Sequence, residues 1–296
     1  MHQSVLLQEV IDAFAPLAHI KDPLLIDCTL GLGGHTLALL QTYPHLRVIG
    51  IDRDEEALSL AQQRLADYTP RFTYRYGAYQ DIIAELLQEG VWADCDGVLA
   101  DLGVSSLQLD SNARGFGFNA PTLDMRMDTN ASLSAYKVIN HYSPYELERV
   151  LERGEVRGAK KIASLIVQRR HQRLFEEAKD LASFLGAHTK RHKHHPATLV
   201  FQAVRMEVND EMGNLRALLD HAKELKHALL AIISFHSLED RQVKHAFKEF
   251  ALDDGLILTK KPITPGALEL QQNPRARSAK MRIFHFRGCP CHTHLL

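Results

Sequence analysis

The chain is short of cysteine. Its four residues of this type, Cys28, Cys95, Cys289 and Cys291, are too few and too unevenly spread for a disulfide scaffold. No apolar run approaches the roughly 20 residues that cross a bilayer, which argues against a transmembrane helix. Residues 1–15 carry Glu9 and Asp12 and no basic cluster, so they do not read as a secretory signal. No Gly-Lys-Ser/Thr follows a glycine loop, which excludes a P-loop, and no Gly-x-Ser-x-Gly elbow offers a serine nucleophile. There is no internal repeat and no low-complexity tract. What remains is 296 residues with 45% hydrophobic and 24% charged content, an ordinary globule of one large or two small domains. A reduced, cytoplasmic protein with no membrane partner is expected.

The formal net charge of −1 hides a segregation. From Arg157 to His195 there are ten Lys/Arg against three Asp/Glu, a local +7, together with five histidines. From Gln272 to the C-terminus there are five Lys/Arg and no acid. Two basic segments on a neutral chain suggest a directed anionic contact, with solvated helix faces as the plainer reading.

The first hundred residues alternate strand and helix. Strands are expected at Leu24–Cys28, Arg47–Ile51, Arg71–Arg75 and Gly97–Leu102, with helices at Gly34–Tyr43, Glu55–Tyr68 and Asp81–Gln88. That order implies an α/β fold with a parallel sheet covered on both faces. The pattern breaks over 103–156, which is rich in Gly, Ser, Asp and Asn. Helical character follows over 157–195 and Thr198–Leu219, and strands return at Leu229–Phe235 and Met281–Phe286. The sheet domain is therefore expected over 1–110 and 206–296, interrupted by a mostly helical insertion over 111–205 that recognises the substrate.

The run from Leu24 through Asp27-Cys28-Thr29-Leu30-Gly31-Leu32-Gly33-Gly34-His35 reads as a buried strand, a glycine turn and a helix start. Asp52 ends the second strand. A glycine turn after one strand and an acid at the tip of the next is how a doubly wound sheet holds an adenosine. A dinucleotide wants a third glycine where Thr36 stands. Asp27 at the strand end suits a ligand ammonium, which a dinucleotide does not offer. The turn therefore fits S-adenosylmethionine better, with a purely structural turn as the other reading.

The chain also carries His2-Gln3-Ser4-Val5-Leu6-Leu7, Asp101-Leu102-Gly103-Val104-Ser105-Ser106 with Gln108, Arg114-Gly115-Phe116 and Leu123-Asp124-Met125-Arg126-Met127. Further along stand His195-Pro196-Ala197-Thr198, Ser234-Phe235-His236-Ser237-Leu238-Glu239-Asp240-Arg241 and Asn273-Pro274-Arg275-Ala276-Arg277-Ser278. In this order they resemble the bacterial ribosomal RNA small-subunit methyltransferase H family, the cytosine-N4 methyltransferases once called MraW. The resemblance runs from residue 2 to about 286. It implies a class I (Rossmann-like) methyltransferase sheet with an inserted helical domain. It also implies methyl transfer from S-adenosyl-L-methionine to the N4 amine of a cytidine in the decoding region of 16S rRNA within the small ribosomal subunit. By the same resemblance Gly33, Gly34, His35, Asp52, Tyr79, Asp101 and Gln108 would hold the cofactor. The chain departs from the usual family residues at Tyr79, Gly117 and Leu199. Two other readings stand beside this one: a non-catalytic RNA-binding or assembly factor on the same fold, and a methyltransferase acting on protein or a small molecule. A homodimer is a further expectation.

The cytosine amine is a weak nucleophile, so an acceptor near its hydrogens would help. The Asp/Asn-Pro-Pro-aromatic motif that often supplies one is replaced here by Asp101-Leu102-Gly103-Val104. Asp101 and His236 are the catalytic candidates. The alternative for Ser234–Arg241 is a helix start, with Ser237 as N-cap and Asp240 completing the cap. RNA contacts are expected from Arg114 and Arg126, in a lid or a packed loop with Phe116 and Phe118. Arg169, Arg170, Lys190, Arg191, Lys193, Arg275 and Arg277 are the other RNA candidates. His192, His194 and His195, and Cys289, Cys291, His292 and His294, have zinc-ligand types without the usual spacing, so no metal is expected.

Overall fold

The computed structural model describes residues 4–188, 197–253 and 255–287. The chain divides into two compact units. The first is built from the segments up to Gly103 and from Met212 onward, and the second is Val104–Glu211. These limits differ from the expected 110/111 and 205/206.

In chain order the first segment holds helix α1 (Leu7–Ala13), strand β1 (Leu24–Asp27), α2 (Gly34–Thr42), β2 (Arg47–Asp52) and α3 (Glu55–Arg64). Strand β3 (Phe72–Tyr76), α4 (Tyr79–Gln88) and β4 (Gly97–Asp101) follow. The second unit contains α5 (Ser106–Asp110), α6 (Ala135–His141), α7 (Pro144–Arg153), α8 (Ala159–Arg170), α9 (Ala178–His188) and α10 (Ala197–Val208). After it come α11 (Glu211–Ala222), β5 (Leu229–Ser234), α12 (Ser237–Asp253), β6 (Gly255–Ile257), α13 (Ala267–Gln272) and β7 (Lys280–Phe286).

Among the described residues the sheet has seven strands in the order β3-β2-β1-β4-β5-β7-β6. β1 to β5 pair in parallel, and β7 runs antiparallel to both β5 and β6. The central strands are apolar on both faces because helices cover both. Alternate residues feed two cores. Ile26, Val98 and Leu230 face one, with Trp92, Leu218 and Phe247. Leu25, Val48, Leu99 and Ala231 face the other, with Phe14, Leu39 and Ala61. This is the mostly parallel, doubly wound α/β sheet expected. No helix of the described residues is long and apolar enough to cross a membrane.

The second unit has its own core, in which Val138, Leu147, Leu151, Ile166, Phe175, Leu181, Val200 and Val204 are buried. A Cβ on Gly154 would lie 2.3 Å from that of Ala203, so glycine allows α7 and α10 to approach closely. Three expectations change here. The stretch 103–156 is not merely loop, because Ser105, Ser134 and Ser143 cap α5, α6 and α7. The helical stretch 157–188 is two helices. The helix expected over Thr198–Leu219 is also two, broken at Asn209 and at Asp210, whose φ is 45°. Asn209 uses its side chain to accept from Met127 N and to donate to Met125 O, both at 2.8 Å.

Candidate functional site

The carboxyl ends of β1, β2 and β4 gather the glycine turn and three aspartates. Two backbone features shape the turn. Gly33 is the N-cap of α2 with φ 71°, a left-handed conformation that glycine adopts without penalty. Gly50 leaves room for Leu30, whose Cδ atoms would lie 2.8 Å from any Cβ there, so the turn folds over β2. Gly34 faces Ser4, whose Oγ occupies the place a Cβ would take, 2.1 Å away.

Asp27 is 1% exposed. Its Oδ2 accepts from Thr36 Oγ1 at 2.7 Å and its Oδ1 from Thr29 N at 3.2 Å. Burial pushes its pKa up to about 6, against the pull of the Thr36 and Thr29 hydrogen bonds. Thr36 thus fills the third-glycine position with a hydroxyl that orients the acid.

Asp52 accepts from Gly31 N at 2.7 Å and from Asp54 N at 2.9 Å, one bond to each oxygen. A carboxylate offers about four lone-pair sites, so two remain for hydroxyls of a ligand. Burial holds its pKa above the ordinary value.

Asp101 ends β4. Its amide donates to Thr29 Oγ1 at 2.6 Å, which ties it to the turn. Its Oδ1 is buried without a hydrogen-bond partner among the described residues. Burial, with Asp27 and Glu239 nearby, raises its pKa well above the carboxylate range. His35 is buried beside it, with Nδ1 3.8 Å from Asp101 Oδ2. Its Nε2 donates to Val5 O at 2.8 Å, and burial lowers its pKa to about 4, so the ring is neutral near pH 7 and balances no carboxylate.

Tyr79 opens α4 with 8% exposure, packed in the core that lies over Ile26. Gln108 lies in the second unit. Its Oε1 accepts from Ser105 N at 3.0 Å, and its own amide donates to Ser105 Oγ at 3.3 Å, a capping box for α5.

His236 lies between β5 and α12. The cap of α12 is not formed by Ser237 and Asp240. Glu239 N donates to His236 Nδ1 at 3.3 Å, while Glu239 Oε2 accepts from Phe235 N at 2.8 Å and from His236 N at 3.2 Å. An accepting Nδ1 puts the ring proton on Nε2, which lies 3.2 Å from Glu239 Oε1. Glu239 is 2% exposed and was not singled out from the sequence, although His-x-x-Glu is the spacing of a reciprocal cap. Asp240 instead accepts from Arg282 Nε at 2.7 Å and pairs with Lys280 Nζ at 3.3 Å. Burial alone would raise its pKa, but the Arg282 and Lys280 contacts bring it below the ordinary value.

The basic candidates divide. Arg114 is 9% exposed and donates to Met127 O at 2.8 Å. Arg126 grips Asp124 with two bonds of 2.8 Å and donates to the carbonyls of Thr129 and Ala131. Arg169 binds Asp180 at 2.6 Å and lies over the Phe175 ring, 4.3 Å from its centroid. Arg170 donates to the carbonyls of Ile139 and Tyr142. With Phe116 buried and Phe118 edge-on to Phe201, the 114–127 segment has the packed-loop form. Arg275 and Arg277 are exposed. Lys190, Arg191, Lys193 and the two His and Cys/His groups lie outside the described residues.

The model of the MraW methylase family matches residues 1–287. A ribosomal RNA small subunit methyltransferase H from Helicobacter pylori (strain HPAG1) is 50% identical over 305 residues, covering 97% of this chain and 98% of that protein. One of the same name from Wolinella succinogenes is 45% identical over 306 residues, covering 97% and 99%. Among solved structures, a SAM-dependent O-methyltransferase from Thermotoga maritima is 10% identical with a TM-score of 0.42, covering 98% of this chain and 68% of that one. The order of the strands in the sheet defines the fold.

Proposed function

Because the chain belongs to the MraW methylase family, we propose that it methylates small-subunit ribosomal RNA with S-adenosylmethionine as donor. The acceptor in this reading is the N4 amine of a cytidine in the decoding region of 16S rRNA, and the setting is the cytoplasm. The observation that carries it is the set of carboxylates around the glycine turn, buried Asp27 and half-buried Asp52 and Asp101, beside a neutral His35. Such a set favours a ligand with fixed positive charge and hydroxyls. A sulfonium, an ammonium and a ribose meet that description, and a pyrophosphate does not. The names of the relatives, matched over nearly their whole length, supply the RNA.

In this reading Asp52 takes the ribose hydroxyls on its two remaining sites, and Asp27, oriented by Thr36 and Thr29, faces the ammonium. When bound, the sulfonium supplies an already activated methyl carbon. The protein's part is orientation, exclusion of water and removal of one amine proton. Asp101 is the acceptor we assign to that proton. Burial raises its pKa, and a positive charge bound beside it favours its carboxylate form. His236, with its proton on Nε2, suits a donor to the base ring rather than a proton acceptor.

The test is incubation with labelled S-adenosylmethionine and small subunits from cells lacking this enzyme. Label on N4 of one cytidine is expected. Label in protein, or none in RNA, overturns the reading. In the same assay Asp101→Asn is expected to lower kcat by about 10²-fold or more, the range of a positioned proton acceptor.

A further inference from the structure

The expected RNA-contacting arginines of the second unit are turned inward. Arg114, Arg126, Arg169 and Arg170 spend guanidinium donors on carbonyls and carboxylates of their own unit. The cations of α8 and its approach behave otherwise. Arg157, Lys160 and Lys161 are exposed, and none makes an ion pair with a carboxylate of the described residues. Ser164, Gln168 and His171 continue the same exposed side at helical spacing. Ile162, Ala163 and Ile166 bury the opposite side. From residue 157 through 175 there is no Asp or Glu. Lys160 and Lys161 also sit in the first turn of α8, where the helix field disfavours cations. The unit itself returns nothing for that placement.

We propose that this side of α8 binds the phosphate backbone of the RNA substrate through Arg157, Lys160 and Lys161, with Ser164, Gln168 and His171 as hydrogen-bonding neighbours. The surface fits a polyanion by charge. It is polar rather than apolar, which suits phosphate and sugar better than a folded protein core. The twelve-residue helix is about 18 Å long, enough to follow several phosphates. Long, hydrated lysine side chains supply point charges that follow a backbone without reading sequence, so contact here sets affinity and register and leaves base choice to other residues. The inference rests on the proposed function only in taking RNA as the polyanion.

The test uses the full chain and a protein-free transcript of small-subunit rRNA, with affinity measured across a salt series. Each lost phosphate contact lowers the slope of log affinity against log salt by roughly 0.7 on single strands. The Arg157→Gln/Lys160→Gln/Lys161→Gln variant is therefore expected to show a slope shallower by about 2. Lys160→Gln and Lys161→Gln alone should each account for about a third of that. Lys160→Arg/Lys161→Arg should keep the full slope and the melting temperature, the Gln variants should melt no lower than wild type, and S-adenosylmethionine affinity should not change in any of them. An unaltered slope in the triple variant overturns the proposal. So does a loss of binding seen with whole subunits but not with bare RNA, which would mean a protein partner. If the wild-type protein methylates no RNA, the proposed activity fails, while the salt slope still decides whether this surface holds RNA.

Discussion

At the scale of single residues, Asp27 and His35 sit nine-tenths or more buried in one turn and pull stability in opposite directions with pH. Asp27 titrates near 6 when folded and near 3.8 when not, so the folded chain binds this proton first. Stability from this group rises as pH falls from 6 towards 4. His35 titrates near 4 when folded and near 6.5 when not, so the unfolded chain takes a proton that the folded one refuses. Stability from it falls as pH drops from 6.5 to 4. Each shift is about two units, or ~3 kcal/mol, and the two offset. His35→Gln keeps a donor for Val5 O and removes only the titration. Its stability by urea unfolding is expected to gain ~3 kcal/mol relative to wild type between pH 6.5 and 4. Parallel pH profiles would refute this. The glycine turn and Asp52 were legible in the sequence because their spacing along β1 and β2 is local. The bond from Thr36 to Asp27 was not, because it joins residues nine positions apart across a turn.

At the scale of elements, α12 shows what pattern reading can and cannot do. Ser237 followed by Glu239 and Asp240 signals a helix start. Which side chain closes the cap depends on where the chain leaves β5, and the structure shifts it by one residue, to His236 and Glu239. The consequence is an order of effects. His236→Ala removes one capping bond and should cost about 1 kcal/mol, with kcat within about tenfold of wild type. Glu239→Ala leaves the amides of Phe235 and His236 without their acceptor and should cost more, ~1–3 kcal/mol for each orphaned group. Thermal melts of the two variants check the order, and a larger loss for His236→Ala would contradict the capping geometry. Elsewhere, amphipathic spacing gave α3 and α4 to within a few residues, and the start of α8 but not its end. The short helices α5 to α7 were hidden because serine caps and glycines made 103–156 look like loop. Asn209, serving a distant loop with its side chain, ended α10 without any helix-breaking residue.

At the scale of the whole molecule, strand–helix alternation was enough to read the parallel half of the sheet and its interruption. The antiparallel β7 and the three-residue β6 were not both legible, since an edge strand of three half-exposed residues carries no periodicity. The order β4-β5-β7 joins segments on either side of the second unit. That connectivity sets a timetable for synthesis. At ribosomal rates β5 emerges roughly ten seconds after β4 is complete. During that interval the apolar edge of β4, Gly97–Asp101, has no partner strand, and the core residues that later meet Leu230 and Phe284 stand open. A chain stopped at residue 211 would remain in that condition, and fractionation should find it in the pellet while the full chain stays in solution. A newborn chain must therefore cross a window of vulnerability whose length is set by the insertion, so slower translation of residues 104–228 should raise its demand for chaperones without altering a single contact of the finished protein.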